Sequence, residues 1–448
     1  MDFSCNCDGD IKIRDIIRIS LPMMISALSS HTMIILDQLV LARFSINAMT
    51  GASSATVWCS ALQYSIMTTT MVAGAFVGNY NGAKKYHLTG TAVWQMIWFS
   101  LSIFAITIPL SMFAGKYCIP PLLHEFGLPY FQITVLFTPI CGICHAMSGF
   151  FVAIGRGMLV TTSVLIANAI NVIIDIVLVF GYFGIHEFTG SRGAAIGTVT
   201  AWFVNCGILS IFFFKQSIRE KYGTLNFKFH FHKLVGYLKL GAVGGIGHIC
   251  EMLAWSFIYY ILARIGTETA MMQSIAVSVN IFLAFVVSGL EKGMMSITAN
   301  LLGSGLKNKT KALMKNGITI HLTFTAVASV FFLFFPEIIT ENFIRFEVDK
   351  TILQETRFVL RLVLLYFMID GICWVIAGVL EGGGDVGFTM GTVAVCVWSI
   401  VTIPSYILSK LGCLNIKLTW SLLIMACSTI SSVFYFRFKS GKWMRINI

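Results

Sequence analysis

Four carboxylates lie deep inside long apolar stretches of the chain, where acidic side chains are rare. They are Asp37, Asp175, Glu251 and Asp370. If these stretches cross a membrane, an acid that faced lipid would cost roughly 3 kcal/mol. We therefore expect each acid to face the protein interior, a partner or water. Titratable groups in such positions are candidates for binding and releasing a cation or a proton.

Polar neighbours accompany two of these acids at helical spacing. Asn171 lies four residues before Asp175, and Tyr366 lies four residues before Asp370, so each pair shares one helix face. Oxygen ligands on one face suit a hard monovalent cation such as Na⁺. A sheltered carboxylate also suits the exchange of a proton. The spacing alone leaves both ions open.

Other interpretations of intramembrane charges also remain open. The acids could instead tie helices together by interhelical hydrogen bonds. His248 lies three residues before Glu251 and is expected to pair with it. Glu291 directly precedes Lys292, and we interpret these two residues as a local ion pair.

The composition places these acids in a membrane protein. Of 448 residues, 57% are hydrophobic and only 11% are charged, with a mean hydropathy of +0.83. Soluble domains carry about 25% charged residues, so the chain is too poor in charge for that class. Apolar runs long enough to cross a hydrocarbon layer of about 30 Å follow one another along the sequence. The fold class predicted is an all-α polytopic membrane protein.

Polar breaks divide the chain into twelve predicted spans. They cover roughly residues 16–44, 50–79, 90–115, 130–154, 159–182, 193–214, 240–265, 270–302, 316–340, 358–380, 388–410 and 417–437. Most of the 31 Lys and Arg residues fall in the connections on the side of the two termini. Positive charge marks the cytoplasmic side, which predicts a multi-pass protein of the plasma (inner) membrane with both termini cytoplasmic. The net charge of +11 therefore indicates topology and contact with membrane lipids, not nucleic-acid binding.

The two halves of the sequence repeat each other. Leu-Ala-Arg at 41–43 recurs at 262–264, an offset of 221 positions. The same offset relates Asn79 to Asn300 and Gly82 to Gly303, at the ends of spans 2 and 8 and the start of the loops that follow them. Six spans per unit preserve orientation, so the repeats are expected to be related by an axis along the membrane normal. This predicts two pseudo-twofold related six-helix lobes around a central cleft.

The lobe boundary is predicted in the basic, polar stretch between residues 215 and 239. We assign residues 1–223 to the N-terminal lobe with the start of a cytoplasmic linker, and residues 224–448 to the C-terminal lobe. Pro22 lies within the first third of the first span, where it removes a backbone hydrogen bond and can kink the helix. The repeat-equivalent residue is Val243, so this predicted hinge belongs to one lobe only.

Motifs for other functions are absent from the sequence. There is no HExxH, no Gly-x-Ser-x-Gly and no GxxxxGK[ST], which argues against an intramembrane enzyme and against direct use of ATP. Cys141 and Cys144 form a CxxC in the middle of a span, where we interpret them as packing residues. No cofactor is expected. A channel remains an alternative, but repeats with buried titratable groups favour alternating access.

The chain resembles the multidrug and toxin extrusion (MATE) transporters, of the NorM-like type, within the larger group that includes polysaccharide and lipid-linked flippases. The resemblance covers nearly the whole chain. It is carried by LPMMISALSSHTMIILDQLVLA, VGNYNGAKK, GFFVAIGRG, NAINVIIDIVLVFG, GAAIGTVTAW, HICEMLAWSFIYYILARIG, SITANLLGSG and IDGICWVIAGVLEGGGD. The order and spacing of these segments are more specific than any single one.

The resemblance implies roles for individual residues. It implies an N-lobe cation or proton site made by Asp37, Asn171 and Asp175 with Thr198 beside them, whose state is linked to bending of span 1 at Pro22. It implies a C-lobe site made by Glu251, Tyr366 and Asp370. Na⁺ could occupy either acidic cluster, and the choice between Na⁺ and H⁺ stays open.

The function expected from this resemblance is secondary active multidrug efflux. Amphipathic organic cations would leave in exchange for Na⁺ or H⁺, and the protein would be a transporter, not an enzyme, acting as a monomer. The alternative is a flippase for a lipid-linked sugar or lipid, which would favour a cationic cavity for pyrophosphate. The deep charges are mostly acids, which favours efflux.

Overall fold

The computed structural model describes residues 11–184, 188–334 and 350–445. These residues form long helices joined by short connections, and we number the membrane spans in chain order. The spans are Ile13–Phe44 (span 1), Ile46–Met71 with Ala73–Gly82 (span 2), Thr89–Phe113 (span 3), His124–Ala153 (span 4), Gly157–Val179 (span 5), Ser191–Phe213 (span 6), Phe231–Ile265 (span 7), Thr267–Gly303 (span 8), Thr310–Phe334 (span 9), Lys350–Gly382 (span 10), Val386–Cys396 with Val397–Thr402 and Ile403–Lys410 (span 11), and Ile416–Ser440 (span 12).

The predicted all-helical class is confirmed, and ten of these spans are long and apolar enough by themselves to cross a membrane. Span 2 is interrupted at Val72, which separates its two helices. Span 9 begins at Thr310, six residues before the predicted start, because the helix continues through polar residues that need not lie in the hydrocarbon layer. The predicted end of span 9, at 340, falls outside the described residues.

The neighbour relations of the first six spans recur in the last six. Span 1 packs against span 5 and span 5 against span 6, as span 7 does against span 11 and span 11 against span 12. Span 4 packs against spans 2, 3 and 6, as span 10 does against spans 8, 9 and 12. The helices therefore form two six-helix lobes of the same internal arrangement.

The lobes meet through spans 1 and 2 of the first lobe and spans 7 and 8 of the second, with span 1 on span 8 and span 2 on span 7. Exchanging the lobes maps one of these contacts onto the other, as a pseudo-twofold axis requires. Span 1 belongs partly to both lobes, because Ile16, Ile19 and Met24 pack into the core of the second lobe.

One membrane face is closed by a seam between the lobes. We call the face where span 1 begins and spans 2, 8 and 12 end the terminal face, and the opposite one the far face. At the terminal face Asn81 Nδ2 donates to Asn300 Oδ1 at 2.7 Å, and Asn300 Nδ2 donates to the carbonyl of Ala153 at 2.9 Å. Gly82 lies directly against the carbonyl of Asn300, and Gly303 lies against that of Asn79. The four residues that revealed the repeat therefore contact each other reciprocally across the axis, and we call them the terminal seam.

The far half of span 1 is not enclosed in the same way. Ile34 and Leu36 project from nearly opposite sides of the helix, and both are exposed, at 46% and 36%. Near the terminal face, Ser20, Met23 and Met24 are buried. Near the terminal face the span is exposed along one side only, at Ile17 and Leu21, whereas toward the far face it is open on two sides, as expected beside a cleft that opens there.

The linker between the lobes is packed onto the first lobe. Trp94 Nε1 donates to the carbonyl of Thr224 at 2.7 Å, Trp98 Nε1 to that of Phe227 at 3.0 Å, and Gln95 Nε2 to that of Lys228 at 2.9 Å. Tyr222, at the end of the linker helix Gln216–Tyr222, is buried in the core of the first lobe, and this burial raises the pKa of its phenol. The linker is thus an ordered strap on span 3.

Span 7 begins at Phe231, nine residues earlier than predicted. Its first turns carry three basic side chains, His232, Lys233 and Lys239, but Leu234 and Tyr237 are buried against the first lobe, and the Tyr237 ring lies 4.3 Å from that of Phe76. Tertiary packing therefore extends the helix beyond the apolar run. The boundary at residues 223/224 stays a prediction.

Candidate ion and substrate sites

The first acidic cluster brings Asp37 of span 1 against Asp175 of span 5. The two carboxyl groups interact with each other, and both residues are buried, with exposures of 9% and 0%. Asn171 Nδ2 donates to Asp175 Oδ1 at 3.3 Å, as the four-residue spacing predicted. A hydrogen bond between two carboxyl groups requires a proton on one of them, because an ionised carboxylate can only accept. Two carboxyl groups that meet in a buried site can share one proton, so the site suits proton exchange.

The cluster also contains unused ligand atoms. Asp37 Oδ1, Asn171 Oδ1 and Asp175 Oδ2 are buried oxygens without a hydrogen-bond partner. Buried polar atoms are rarely left in this state unless an ion, a water or a proton completes them. Three oxygens from two adjacent helices form a donor set that fits Na⁺ as well as a proton.

Span 6 closes this site with a glycine that the sequence analysis did not single out. A Cβ at Gly197 would overlap Asp175 Oδ1 and lie 3.2 Å from Asn171 Nδ2. Thr198, the residue named from the family resemblance, is buried beside it, but its hydroxyl donates to the carbonyl of Ala194 in its own helix at 3.0 Å. The backbone of Gly197 therefore forms the wall of the site, and the Thr198 hydroxyl is directed to its own helix.

Because the added methyl group must displace the Asp175 carboxyl group, we expect Gly197→Ala to abolish most of the efflux that the family resemblance implies. The measurement is dye efflux from cells at matched protein levels, and we expect less than about a tenth of the normal rate, given that overpacking costs typically 1–3 kcal/mol. Gly207→Ala is the matched control on the same helix, since a Cβ there meets nothing within 4 Å. Equal activity of the two variants would contradict the geometry.

A row of polar contacts connects this cluster to Pro22. Thr161 Oγ1 donates to the carbonyl of Pro22 at 2.6 Å, and Ser26 Oγ donates to Thr161 Oγ1 at 3.1 Å. Asn168 Nδ2 donates to Ser29 Oγ at 2.7 Å. Thr161, Asn168 and Asp175 of span 5 are spaced seven residues apart. This spacing keeps all three on the face of span 5 that packs along the parallel span 1. We call this row the polar ladder; it links the predicted hinge to the acids through direct contacts.

The second acidic cluster is centred on Asp370 of span 10. Its Oδ1 accepts from Trp374 Nε1 at 3.1 Å, from the Tyr366 hydroxyl at 3.4 Å and from the Cys427 thiol at 3.6 Å. Glu251 of span 7 interacts electrostatically with Asp370. The structure thus brings the three predicted C-lobe residues together, on spans 7 and 10, with span 12 supplying Cys427.

Glu251 has its own surroundings. His248 Nδ1 lies 3.5 Å from Glu251 Oε2, which confirms the predicted pairing, and Trp255 interacts with the same carboxyl group. The ring of Trp255 lies 6.3 Å from that of Tyr366 and 6.5 Å from that of Trp420. These rings exclude water from one side of the carboxylates and leave their interactions less screened.

Two further acids of the second lobe belong to the same electrostatic group. Glu291 interacts with Glu251 and Asp370, and Glu381 interacts with Glu291. The predicted local ion pair of Glu291 and Lys292 is seen only in part: the two charges interact electrostatically, but the described residues show no direct contact between the ammonium and carboxylate groups. Adjacent residues on a helix point about 100° apart, so neighbours in sequence face different surroundings.

The CxxC residues behave as expected for packing. Cys141 and Cys144 are buried free thiols. His145 Nδ1 lies 2.9 Å from the carbonyl of Cys141, and the Cys144 thiol donates to the carbonyl of Trp202 at 3.3 Å. Both cysteines are therefore buried packing residues of span 4.

Two matching lobes, a seam that closes one membrane face and a buried acidic cluster inside each lobe define a multi-pass membrane transporter fold. The sequence assigns the family: residues 22–177 and 245–407 match the MatE family model, so the chain belongs to that family. It is similar to a probable multidrug resistance protein NorM of Thermotoga maritima, with 22% identity over 438 residues, which cover 96% of this chain and 93% of that protein. The chain is a NorM-like MATE transporter.

Two further comparisons agree with this assignment. The multidrug export protein MepA of Staphylococcus haemolyticus is 23% identical over 427 residues, covering 90% of this chain and 88% of that protein. An outward-facing conformation of a multidrug resistance MATE family transporter has the same fold, with a TM-score of 0.83 and 14% identity over 98% of both chains.

Proposed function

We propose that the protein exports amphipathic organic cations in exchange for Na⁺ or H⁺ by alternating access. The observation that carries this proposal is the pair of buried acidic clusters, one in each lobe, with carboxylate oxygens that have no basic Lys or Arg partner among the described residues. The names of the relatives, a multidrug resistance protein and a multidrug export protein, support the same direction of transport.

Ion binding acts through the polar ladder and changes the free-energy difference between the inward-open and outward-open states. A cation or second proton at Asp37 and Asp175 neutralises the site, loosens the carboxyl–carboxyl contact and changes the packing of span 1 on span 5. Thr161 holds the carbonyl of Pro22 at the other end of the ladder. The ion can shift the equilibrium between the inward-open and outward-open states only by the difference in its affinity for the two states. The polar ladder connects the ion site directly to the bend of span 1, so a change in that bend can produce the difference.

The second cluster supplies attraction for the organic cation. Glu251, Asp370 and Glu291 place several carboxylates near one another, beside Trp255 and Tyr366. Carboxylates near aromatic rings attract organic cations by charge and by the ring quadrupole. Neutralisation of these acids by the coupling ion would weaken that attraction and release the cation.

The proposal includes an orientation and a setting. The terminal face carries most of the basic residues of the connections, so we assign it to the cytoplasm of a plasma (inner) membrane. The cleft then opens outward. We propose a monomer whose partners are membrane lipids and small cationic substrates, with no nucleic acid.

Vesicles that contain the purified protein test the coupling. Transport of a cationic dye is measured with an imposed Na⁺ gradient and with an imposed pH gradient, one at a time. We expect one of the two to drive accumulation against the dye gradient, because the oxygen set fits either ion. Indifference of dye movement to both gradients would indicate a channel and refute antiport.

A lipid flippase is the second candidate, and its test is separate. Such a protein needs basic groups for pyrophosphate in its cavity, and the four deepest acids argue against this. Failure to move any cationic dye, together with rescue of a cell-envelope lipid defect, would favour the flippase.

A further inference from the structure

A groove of about 300 Å³ opens on the lipid-facing side of the protein, between the terminal halves of spans 1 and 9. Ile13 and Ile17 of span 1 form one wall, and residues of span 9 between Thr319 and Val327 form the other. This part of span 9 extends over about 12 Å at 1.5 Å per residue, which is less than half of a hydrocarbon layer of about 30 Å. The groove therefore lies within one leaflet, the one at the terminal face.

The lining of this groove suits an aliphatic chain. The hydroxyl protons of Thr319 and Thr323 are used within span 9, where they are donated to backbone carbonyls at 3.0 and 2.8 Å. The ring of Phe324 lies 5.9 Å from that of Phe285 and 6.3 Å from that of Phe367, so the wall it forms is fixed by packing. The groove therefore offers a firm apolar surface, which a polar ligand cannot use.

Spans 1 and 9 both begin at the terminal face and are joined there by a side chain. Asn316 Nδ2 of span 9 donates to the carbonyl of Ile11 at 2.7 Å. Beyond this contact Ile13, Ile17 and Val327 are exposed, so the groove opens sideways. In a membrane it is in direct contact with lipid tails, and a lipid chain enters it without crossing the protein.

Basic side chains flank the mouth of the groove on both helices. Arg14 and Arg18 are exposed and four residues apart, and exposed Leu21 follows them at helical spacing, which places them on the lipid-facing side of span 1. Lys315 of span 9 is exposed one turn before Thr319. Helical side chains lean toward the helix N-terminus, and both spans begin at the terminal face. The cationic groups therefore reach the level of the lipid phosphates.

Asp15, the acid in the first turn of span 1, does not cancel this charge at the groove. It lies two residues after Ile13 and thus about 200° around the helix, on the side away from the groove. Its Oδ2 accepts from the backbone N–H of Lys12 at 3.2 Å. Within the described ranges of the chain, no ion pair joins the three basic side chains to an acid. The mouth of the groove is therefore positively charged.

We propose that this groove binds an anionic phospholipid of the leaflet at the terminal face, with one acyl chain between spans 1 and 9 and its phosphate at Lys315 and Arg14. A basic rim beside an apolar groove between membrane helices fits this chemistry. A zwitterionic lipid brings its own cationic group to the rim and gains less from it. The inference goes beyond the proposed function and does not depend on the molecule exported. The bound chain contacts span 1 on the terminal side of Pro22, in the helix that carries the predicted hinge.

Two lipids with identical acyl chains test the site. Phosphatidylglycerol is anionic and phosphatidylcholine is zwitterionic, and binding of each to the purified full-length protein is titrated by native mass spectrometry. We expect the first phosphatidylglycerol to bind at least about fivefold more tightly, because each basic residue contributes roughly fivefold. The double variant Arg14→Gln with Lys315→Gln should remove this preference and change the affinity for phosphatidylcholine by less than about twofold. Equal affinities of the two lipids for the unsubstituted protein would refute the site.

A second pair of variants tests the groove itself. Thr323→Trp places an indole ring in the groove and should weaken the binding of phosphatidylglycerol about tenfold. Leu322→Trp is the matched control, at the neighbouring exposed position outside the lining. Both positions are exposed, so neither substitution overpacks the core. Equal affinities of these two variants would place the lipid elsewhere and overturn the proposal.

A soluble anion distinguishes a lipid site from a simple phosphate site. Glycerol phosphate carries the charge of the headgroup but has no acyl chain, so at the same concentration it should not displace phosphatidylglycerol. Displacement would show that the charge alone determines binding and would refute the lipid site.

Discussion

Asp37→Asn and Asp370→Asn should each reduce dye efflux severely, and Asp37→Asn should also remove the dependence of efflux on the coupling ion. The Asp37 carboxyl group forms half of a buried pair with Asp175, and its Oδ1 is one of the three unpartnered oxygens. At 4 Å and an effective dielectric constant near 20, one carboxylate attracts a monovalent cation by about 4 kcal/mol. We therefore expect the affinity of the site for Na⁺ to fall by at least about a hundredfold, with efflux falling accordingly. An amide also cannot take up the shared proton.

The same helix provides the control for this prediction. Asp15 is an exposed acid in the first turn of span 1, where its Oδ2 accepts from the backbone N–H of Lys12 at 3.2 Å. Asp15→Asn should leave efflux and its ion dependence unchanged. If Asp37→Asn and Asp370→Asn both transport normally, neither cluster couples ions to transport. Loss in only one of them would assign coupling to that lobe.

Gly303→Ala should open the terminal face, because the new Cβ would overlap the carbonyl of Asn79 across the seam. Gly82→Ala should act the same way through the carbonyl of Asn300, its repeat-related partner. Backbone atoms cannot move aside as a flexible side chain does. The overlap exists only while the seam is closed. A destabilisation of the closed state by about 1–3 kcal/mol shifts the equilibrium toward the open state by roughly tenfold or more.

A thiol at the buried position Ser296, whose hydroxyl donates to the carbonyl of Val152 at 3.1 Å, reports this opening. Labelling of Ser296→Cys by a membrane-impermeant maleimide from the terminal side should be about tenfold faster when Gly303→Ala is added. Protein without the introduced cysteine gives the background from native thiols. Gly391→Ala is the matched control, since its Cβ meets nothing within 4 Å. Unchanged labelling in both seam variants would show that the seam does not limit access.

Local spacing predicted local geometry well. The pairs Asn171 with Asp175 and Tyr366 with Asp370 required only helical periodicity, and both are hydrogen-bonded. The repeat offset likewise identified the residues that form the terminal seam, because equivalent positions in two related lobes meet at their axis. The contact of Asp37 with Asp175 came from the family resemblance, since no spacing rule relates residues 138 positions apart.

Long-range packing accounts for what the sequence did not predict. Gly197 matters because it touches the Asp175 carboxyl group from another helix, and nothing in its own segment indicates this. Glu291 was assigned to Lys292 by adjacency, and it does interact with Lys292, but it also interacts with Glu251 and Asp370 on other spans. Span 7 begins early because Tyr237 packs on Phe76, a contact between lobes that apolar runs do not encode.

The strap that follows span 6 limits how the two halves can be separated. Residues 224–228 are hydrogen-bonded to Trp94, Gln95 and Trp98, so a break in the chain at 223/224 would leave the second fragment with a segment that still binds the first. Two independently expressed fragments would thus carry their own means of reassociation. A linker held in this way also cannot act as a flexible connection when the two lobes move relative to each other. We therefore expect movement between the lobes to involve span 7 itself, whose glycines at 244, 245 and 247 pack closely on spans 2 and 11.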